Sequence, residues 1–274
     1  MTFLKNLLLL FFLFSFSSIL SQRDSISTYL NREFKESKIK NDIHYFSIRI
    51  KKDTLWENRI FHRDGKILSK RYSKNFNGDI LIGKSLKFHR NGKLAEKKYY
   101  NLKGNEHGNI ITLFNNGNRN FTGSYNNGNP NGLWKYYRFN GKLACKFYYD
   151  NKGNIEKYIL FDKLGNETKD EEYVKYIKPK FRGGIEKFKS KISNLTDNLS
   201  YSINTTIYIK FIIDIDGSIK DVNVVNNIPN KLKKEISGFF ESINGWSPAI
   251  EMNRIIPYKY SLPITFKTRE IDTN

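Results

Sequence analysis

Glycine punctuation constrains this chain more than any other feature of its sequence. Asp64-Gly65-Lys66-Ile67, Asn91-Gly92-Lys93-Leu94, Asn116-Gly117-Asn118-Arg119 and Asn140-Gly141-Lys142-Leu143 occupy equivalent places, and Leu164-Gly165-Asn166 is a fifth, worn copy. Their glycines stand 27, 25, 24 and 24 residues apart. A second set, Gly78, Gly104, Gly128 and Gly153, falls 11 to 13 residues after the first four. Turn dipeptides at that interval, flanked by β-prone aromatics, predict an antiparallel meander of nine or ten strands, and Asn-Gly suits the positive φ angles of type I′ turns. The text between turns agrees: Leu133–Phe139 precedes one turn and Ala144–Tyr149 follows it. Phe61, Phe88, Phe114 and Tyr137 recur three or four residues before the glycine, and Tyr72, Tyr99, Tyr125 and Tyr148 seven or eight after it. Such positions predict an aromatic ladder along one sheet face. A platform for bases or sugars is the functional alternative; packing is the plainer reading.

The unit Gly132-Leu133-Trp134-Lys135-Tyr136-Tyr137 with Asn140-Gly141-Lys142-Leu143 resembles the MORN-variant repeat, and Phe88–Leu94 with Tyr99-Tyr100 is a second good copy. The resemblance implies an elongated, MORN-like hairpin sheet over residues 56–176, used as a spacer or docking surface. His62 and His89 both sit in Phe-His-Arg-x-Gly-Lys, so the repeat itself explains them and a catalytic pair is not indicated. His44 and His107 read as surface or turn residues. Cys145, in a strand beside Lys146, reads as a packing residue rather than a nucleophile.

From Lys178 the period stops. Ile185, Phe188 and Ile192 fall on one face of a short helix, after Arg182-Gly183-Gly184. Thr205–Ile213 alternates as a strand, Asp216-Gly217 turns it into Ser218–Val225, and Pro229–Ile243 carries a helical stripe of Leu232, Ile236, Phe239, Phe240 and Ile243. Trp246-Ser247-Pro248-Ala249 and a last strand, Tyr258–Phe266, follow. Arg182-Gly183-Gly184, Asp216-Gly217-Ser218, Trp246-x-Pro248-Ala249 and Leu262-Pro263-Ile264-x-Phe266 together resemble the C-terminal domain of TonB energy transducers. The resemblance departs at Asn194–Tyr201, where the family carries a Tyr-Pro-x-x-Ala element. It implies a three-stranded sheet with two helices over residues 177–269. It also implies a partner-binding edge strand, Tyr258, Tyr260, Leu262, Ile264 and Phe266, that takes the N-terminal segment of an outer-membrane receptor by strand addition. Pro263 fits an edge because proline cannot donate to a central ladder. Trp246 reads as a plug of the sheet–helix core.

Lys5 is the only charge before Arg23, and Leu7–Phe14 is wholly apolar, followed by small residues. This is a signal-peptide pattern over residues 1–21 with cleavage after Ser21; an uncleaved anchor, the only membrane contact expected, is the competing reading. Residues 22–55 are expected as a cap or linker and 270–274 as a tail. The expected fold class is mostly β with a C-terminal α+β domain. One cysteine and four histidines among 274 residues exclude a disulfide scaffold and argue against a metalloenzyme. The net charge of +20 is spread evenly over solvated lysines and gives no nucleic-acid partner. No triad, carboxylate pair or phosphate loop emerges, so no enzyme and no cofactor are expected. With only six prolines the chain lacks a proline-rich spacer, and its N-terminal segment lacks the histidine typical of TonB anchors. An accessory docking role in the periplasm or cell envelope, in or beside TonB-dependent transport, is therefore expected rather than energy transduction. The alternatives are an envelope scaffold without a transport role and a ligand-binding envelope protein.

Overall fold

A computed structural model describes residues 25–169, 172–198, 204–226 and 228–266. The expected signal segment at 1–21, the 270–274 tail and parts of the Asp170–Glu172 and Asn194–Tyr201 stretches lie outside these. The protein is mostly β, with two helices. It divides into two compact units, Met1–Gly108 and Asn109–Asn274. The first holds β1 (Ser25–Leu30), β2 (Tyr45–Lys52), β3 (Leu55–His62), β4 (Ile67–Ser73), β5 (Gly83–Phe88) and β6 (Leu94–Tyr100). They pair antiparallel in chain order. The meander thus begins at Ser25, inside the segment expected as a cap or linker. Its first hairpin turns at Asp53-Thr54, which carries no glycine and so is silent in the repeat count.

The second unit continues with β7 (Gly108–Leu113), β8 (Arg119–Asn126), β9 (Asn129–Tyr137), β10 (Leu143–Tyr149), β11 (Ile155–Phe161) and β12 (Glu167–Thr168). The short β13 (Tyr176–Ile177) and β14 (Lys180–Phe181) lead into α1 (Gly184–Asn198), β15 (Thr205–Ile213), β16 (Ile219–Val224) and α2 (Asn230–Ser242). Then come β17 (Trp246–Ser247), β18 (Ala249–Glu251), β19 (Arg254–Ile256) and β20 (Tyr258–Phe266). A three-stranded sheet runs in the order β16–β15–β20, and α1 and α2 pack their apolar stripes on it. Ile207, Ile209, Phe211 and Ile213 face that core with Leu232, Ile236, Phe240 and Ile243. On α1 the buried residues are Phe188, Ile192 and Leu195, whereas Ile185, expected on the same face, is 48% exposed. It sits in the first turn, where the helix has only begun to lie against the sheet.

Most of the repeated turns are not type I′. In each of seven of them the N–H of the first residue donates to the carbonyl four residues on, and the glycine N–H donates back, as in His62 N–H to Lys66 O (2.8 Å) and Gly65 N–H to His62 O (2.9 Å). The glycine alone is left-handed, φ 84° at Gly65 and 87° at Gly141, while the preceding Asp or Asn is not. This is a type I turn closed by a glycine bulge, and the ladders slip at Ile60/Phe61, Lys87/Phe88 and Leu143/Cys145 accordingly. Asn or Asp is selected for its side chain: Asn140 Oδ1 accepts the Lys142 N–H at 3.1 Å, and Asn91 and Asp64 accept equivalent bonds. Asn127-Gly128 is the repeat turn with both residues left-handed.

The packed sheet face of the second unit is built from residues alternate to the expected ladder. Trp134 lies opposite Phe147 and Tyr136 opposite Cys145, with Tyr158 and Leu160 beyond them. Tyr137 and Tyr148 point to the other face by the two-residue period of a strand. Tyr125, one residue later in its repeat than Tyr148, is carried across by a bulge at Gly123 and meets the Trp134 ring at 5.0 Å.

Candidate docking strand and its anchor

β20 pairs with β15 along its whole length, from Tyr258 opposite Ile213 to Phe266 opposite Thr205, and its other side is a sheet edge. Tyr208 shows which backbone groups reach that edge. Its N–H donates to Asn226 Oδ1 (2.7 Å) and its carbonyl accepts the Val225 N–H (2.9 Å), both on the β16 side. In an antiparallel ladder a residue sends its N–H and C=O the same way, and successive residues alternate. Tyr208 lies opposite Pro263. Pro263 and the residues in step with it, Lys259, Ser261 and Thr265, therefore turn their backbone groups to the open edge. Proline stands where its missing N–H breaks no ladder bond.

The five side chains expected at the edge face inward instead. Ile264 and Phe266 belong to the core, and Tyr260 and Leu262 pack against it. Tyr260 stacks on Phe211 at 5.3 Å, and Tyr258 touches Tyr260 at 6.1 Å. The exposed side chains of β20 are Lys259, Ser261, Pro263 and Thr265. Apolar residues in a half-buried strand go to the core, so the alternation that marks the strand also marks which side chains a partner cannot reach. Trp246 is buried against Phe181, Phe188 and Tyr260 at 4.9–5.5 Å, in the core as its sequence context implies.

Immediately before β20, the β18–β19 hairpin is anchored to the meander strands of the same unit. Its two-residue turn, Met252-Asn253, has φ of 50° and 56°, left-handed at residues without the freedom of glycine. The surroundings hold it there. Met252 and Asn253 donate their N–H groups to Lys175 O and Val174 O, and Asn253 Nδ2 donates to Glu172 O. Arg138 Nη1 donates to Asn253 O at 3.1 Å, and the Cys145 thiol to Met252 O at 3.3 Å. Arg254 is wholly buried. Its Nη1 donates to the carbonyls of Asn120 (2.6 Å) and Tyr137 (2.9 Å) and to Asn120 Oδ1, and its Nη2 to Glu251 Oε2 at 2.9 Å. The guanidinium lies over Tyr136 at 5.2 Å. Sequence reasoning missed Arg254, because an arginine in a charged chain carries no signal of burial.

Three of the four sequence motifs of the C-terminal segment contribute to one cavity. Lys180, Phe181, Arg182, the Asp216-Gly217-Ser218 turn and Asn244–Ser247 line one cavity of about 470 Å³. A Cβ on Gly217 would collide with the Trp246 carbonyl, which ties the turn glycine to the tryptophan segment. No family model and no curated protein matches the chain. His62 and His89 occupy the first position of repeat turns. Cys145 is buried, and burial pushes its thiol up to about 12, so it holds its proton at neutral pH. Among the described residues no cluster of three metal-ligating side chains occurs, and no helix is long and apolar enough to cross a membrane.

Proposed function

We propose that this is an exported cell-envelope protein that docks a partner protein by strand addition along β20, in or beside TonB-dependent transport, without catalysing a reaction. The observation that carries the reading is the register of β20. Its Lys259, Ser261 and Thr265 backbone groups face an edge, its apolar side chains are committed to the core, and Pro263 sits where an edge tolerates it. An extended segment of a receptor's N-terminal region would pair with those groups, and the outward side chains of Lys259, Ser261 and Thr265 would select it. The MORN-like hairpins, with β18–β19 anchored to them, hold the strand in place. The resemblance of the C-terminal segment to TonB domains and the signal-like N-terminus support the envelope setting.

The test is titration of the full chain with a labelled peptide from the N-terminal segment of an outer-membrane receptor. Thr265→Pro removes one edge donor and blocks close approach, so it should abolish capture in a folded protein, whereas Thr265→Ala should weaken it only modestly. Unchanged affinity in a folded Thr265→Pro variant rejects strand addition at this edge.

A further inference from the structure

The first unit carries two arginines with no carboxylate, in a setting where its other buried charges are compensated. Across β2, β3 and β4 the register places Arg49 opposite Asn58 and Asn58 opposite Arg71. The three residues form one cross-strand row on one face of the sheet. Two strand spacings separate the arginine backbones, on the order of 10 Å, a gap that two arginine side chains are long enough to bridge with an anion between them. Both arginines are half-buried, and neither enters an ion pair or a hydrogen bond among the described residues. The Nε of each is covered and unpartnered. Between them, among the described residues, Asn58 is 4% exposed with its Oδ1 unpartnered, and the adjacent Ser47 hydroxyl is fully buried without a partner. Phe76 packs on Trp56 at 5.0 Å and lies under the Arg49 guanidinium at 4.6 Å, which holds that side chain over the row.

The opposite face of the same strands shows how this sheet treats cations when the partner is internal. Glu57, next to Asn58 and so on the other face, is fully buried and takes Lys52 (2.7 Å), Arg59 (2.5 Å), Lys70 (3.3 Å) and the Tyr72 hydroxyl (3.0 Å). Desolvation presses on the charge of Arg71; Tyr100 works against it, and the neighbouring Arg49 adds to it. A guanidinium stays charged and presents a planar fork of donors matched to carboxylate and phosphate oxygens. Two such forks in one row, with a buried acceptor between them, lack only the anion.

We propose that the Arg49–Asn58–Arg71 row is a binding site for an oxyanion, a phosphate or carboxylate group gripped by both guanidiniums, with Asn58 Oδ1 accepting from the ligand where it carries an O–H, as hydrogen phosphate does. The site stands independently of the docking edge.

The experiment is calorimetric titration of the full chain with inorganic phosphate and, separately, with acetate, at constant ionic strength. Wild type should show saturable binding of at least one anion, and which one binds tells a phosphate site from a carboxylate site. Arg49→Gln and Arg71→Gln should each weaken that binding at least about tenfold, because each removes charge-assisted hydrogen bonds to the anion. Arg49→Lys and Arg71→Lys keep the charge but lose the fork; they should also weaken binding, and they serve if a glutamine variant does not fold. Arg182→Gln, on the cavity of the second unit, should change nothing. Absence of saturable binding of both anions to wild type, or undiminished binding in folded variants at both positions, overturns the proposal.

Discussion

Arg254 shows how one residue can organise a segment. A buried guanidinium is costly unless its donors are used, and here backbone carbonyls from two meander strands, the Asn120 side chain and Glu251 use them. Arg254→Met should cost about 3–5 kcal/mol, as expected when one member of a buried, hydrogen-bonded charge set is removed. Arg254→Lys should recover little, because an ammonium cannot span those acceptors. Urea midpoints at constant m would measure both. Glu57 makes a prediction about pH. Burial works to raise its carboxyl, but hydrogen bonds from Lys52, Arg59, Tyr72 and Lys70 outweigh it and bring the group down from 4.5 to about 2. A carboxyl depressed in the folded state adds stability that is complete above its unfolded value and lost as pH falls through its folded value. Stability should therefore decline between about pH 4.5 and 2, and that part of the slope should vanish in Glu57→Gln. Cys145, buried and protonated, should resist iodoacetamide in the native protein and react on unfolding, read as a mass shift.

At the scale of elements, the hairpins separate two uses of glycine. Gly141 is there for its φ of 87°; a Cβ on it would meet the Asn118 side chain only at an ordinary contact distance of 3.5 Å. Gly141→Ala should cost about 1–2 kcal/mol, the strain of a left-handed non-glycine residue. Gly123 is there for space: its backbone is not left-handed, but a Cβ would enter the Trp134 ring, whose Nε1 donates to Ser124 O at 3.1 Å. Gly123→Ala should cost at least as much through overpacking, and should shift the near-ultraviolet signal of Trp134, which Gly141→Ala should leave alone. On β20, Tyr260→Pro deletes an N–H directed at β15 and should unfold the C-terminal sheet, whereas Thr265→Pro should not. Circular dichroism of the two variants checks the register.

For the whole molecule, the compact units meet inside the hairpin array at 108/109, while the repeat period stops near residue 176. Residues 109–176 share a unit with the C-terminal segment because Tyr173, Met252 and Arg254 pack on the meander face around Phe147 and Tyr136. A fragment beginning at Tyr173 retains the core of Phe181, Phe188, Ile209, Ile236, Phe240, Trp246 and Phe266 and should fold around it. It lacks the Asn120 and Tyr137 acceptors of Arg254, so the amides of Met252 and Asn253 should exchange faster in the fragment than in the full chain, as hydrogen exchange would show. Equal protection would mean the anchor contributes nothing.

Periodicity in the chain was enough to place the strand-and-turn pattern, the apolar faces of β15 and α2, and β20 with its proline. Those are local properties: a two-residue or 3.6-residue hydrophobic period and a turn dipeptide act within a few residues of themselves. Which turn the Asn-Gly pairs form was not legible there, because type I′ and bulged type I turns both favour the same dipeptide, one for φ and the other for an accepting side chain. Nor was the packed strand face legible: its aromatics are Trp134, Tyr136 and Phe147 in place of Tyr137 and Tyr148, because Tyr173 and Met252, brought in from later in the chain, pack on that face. The outward direction of Thr265, the burial of Arg254 and the unpaired row of Arg49 and Arg71 were decided only by tertiary structure. Each depends on what a residue faces across strands up to 134 positions away in the chain, and no local pattern encodes that partner.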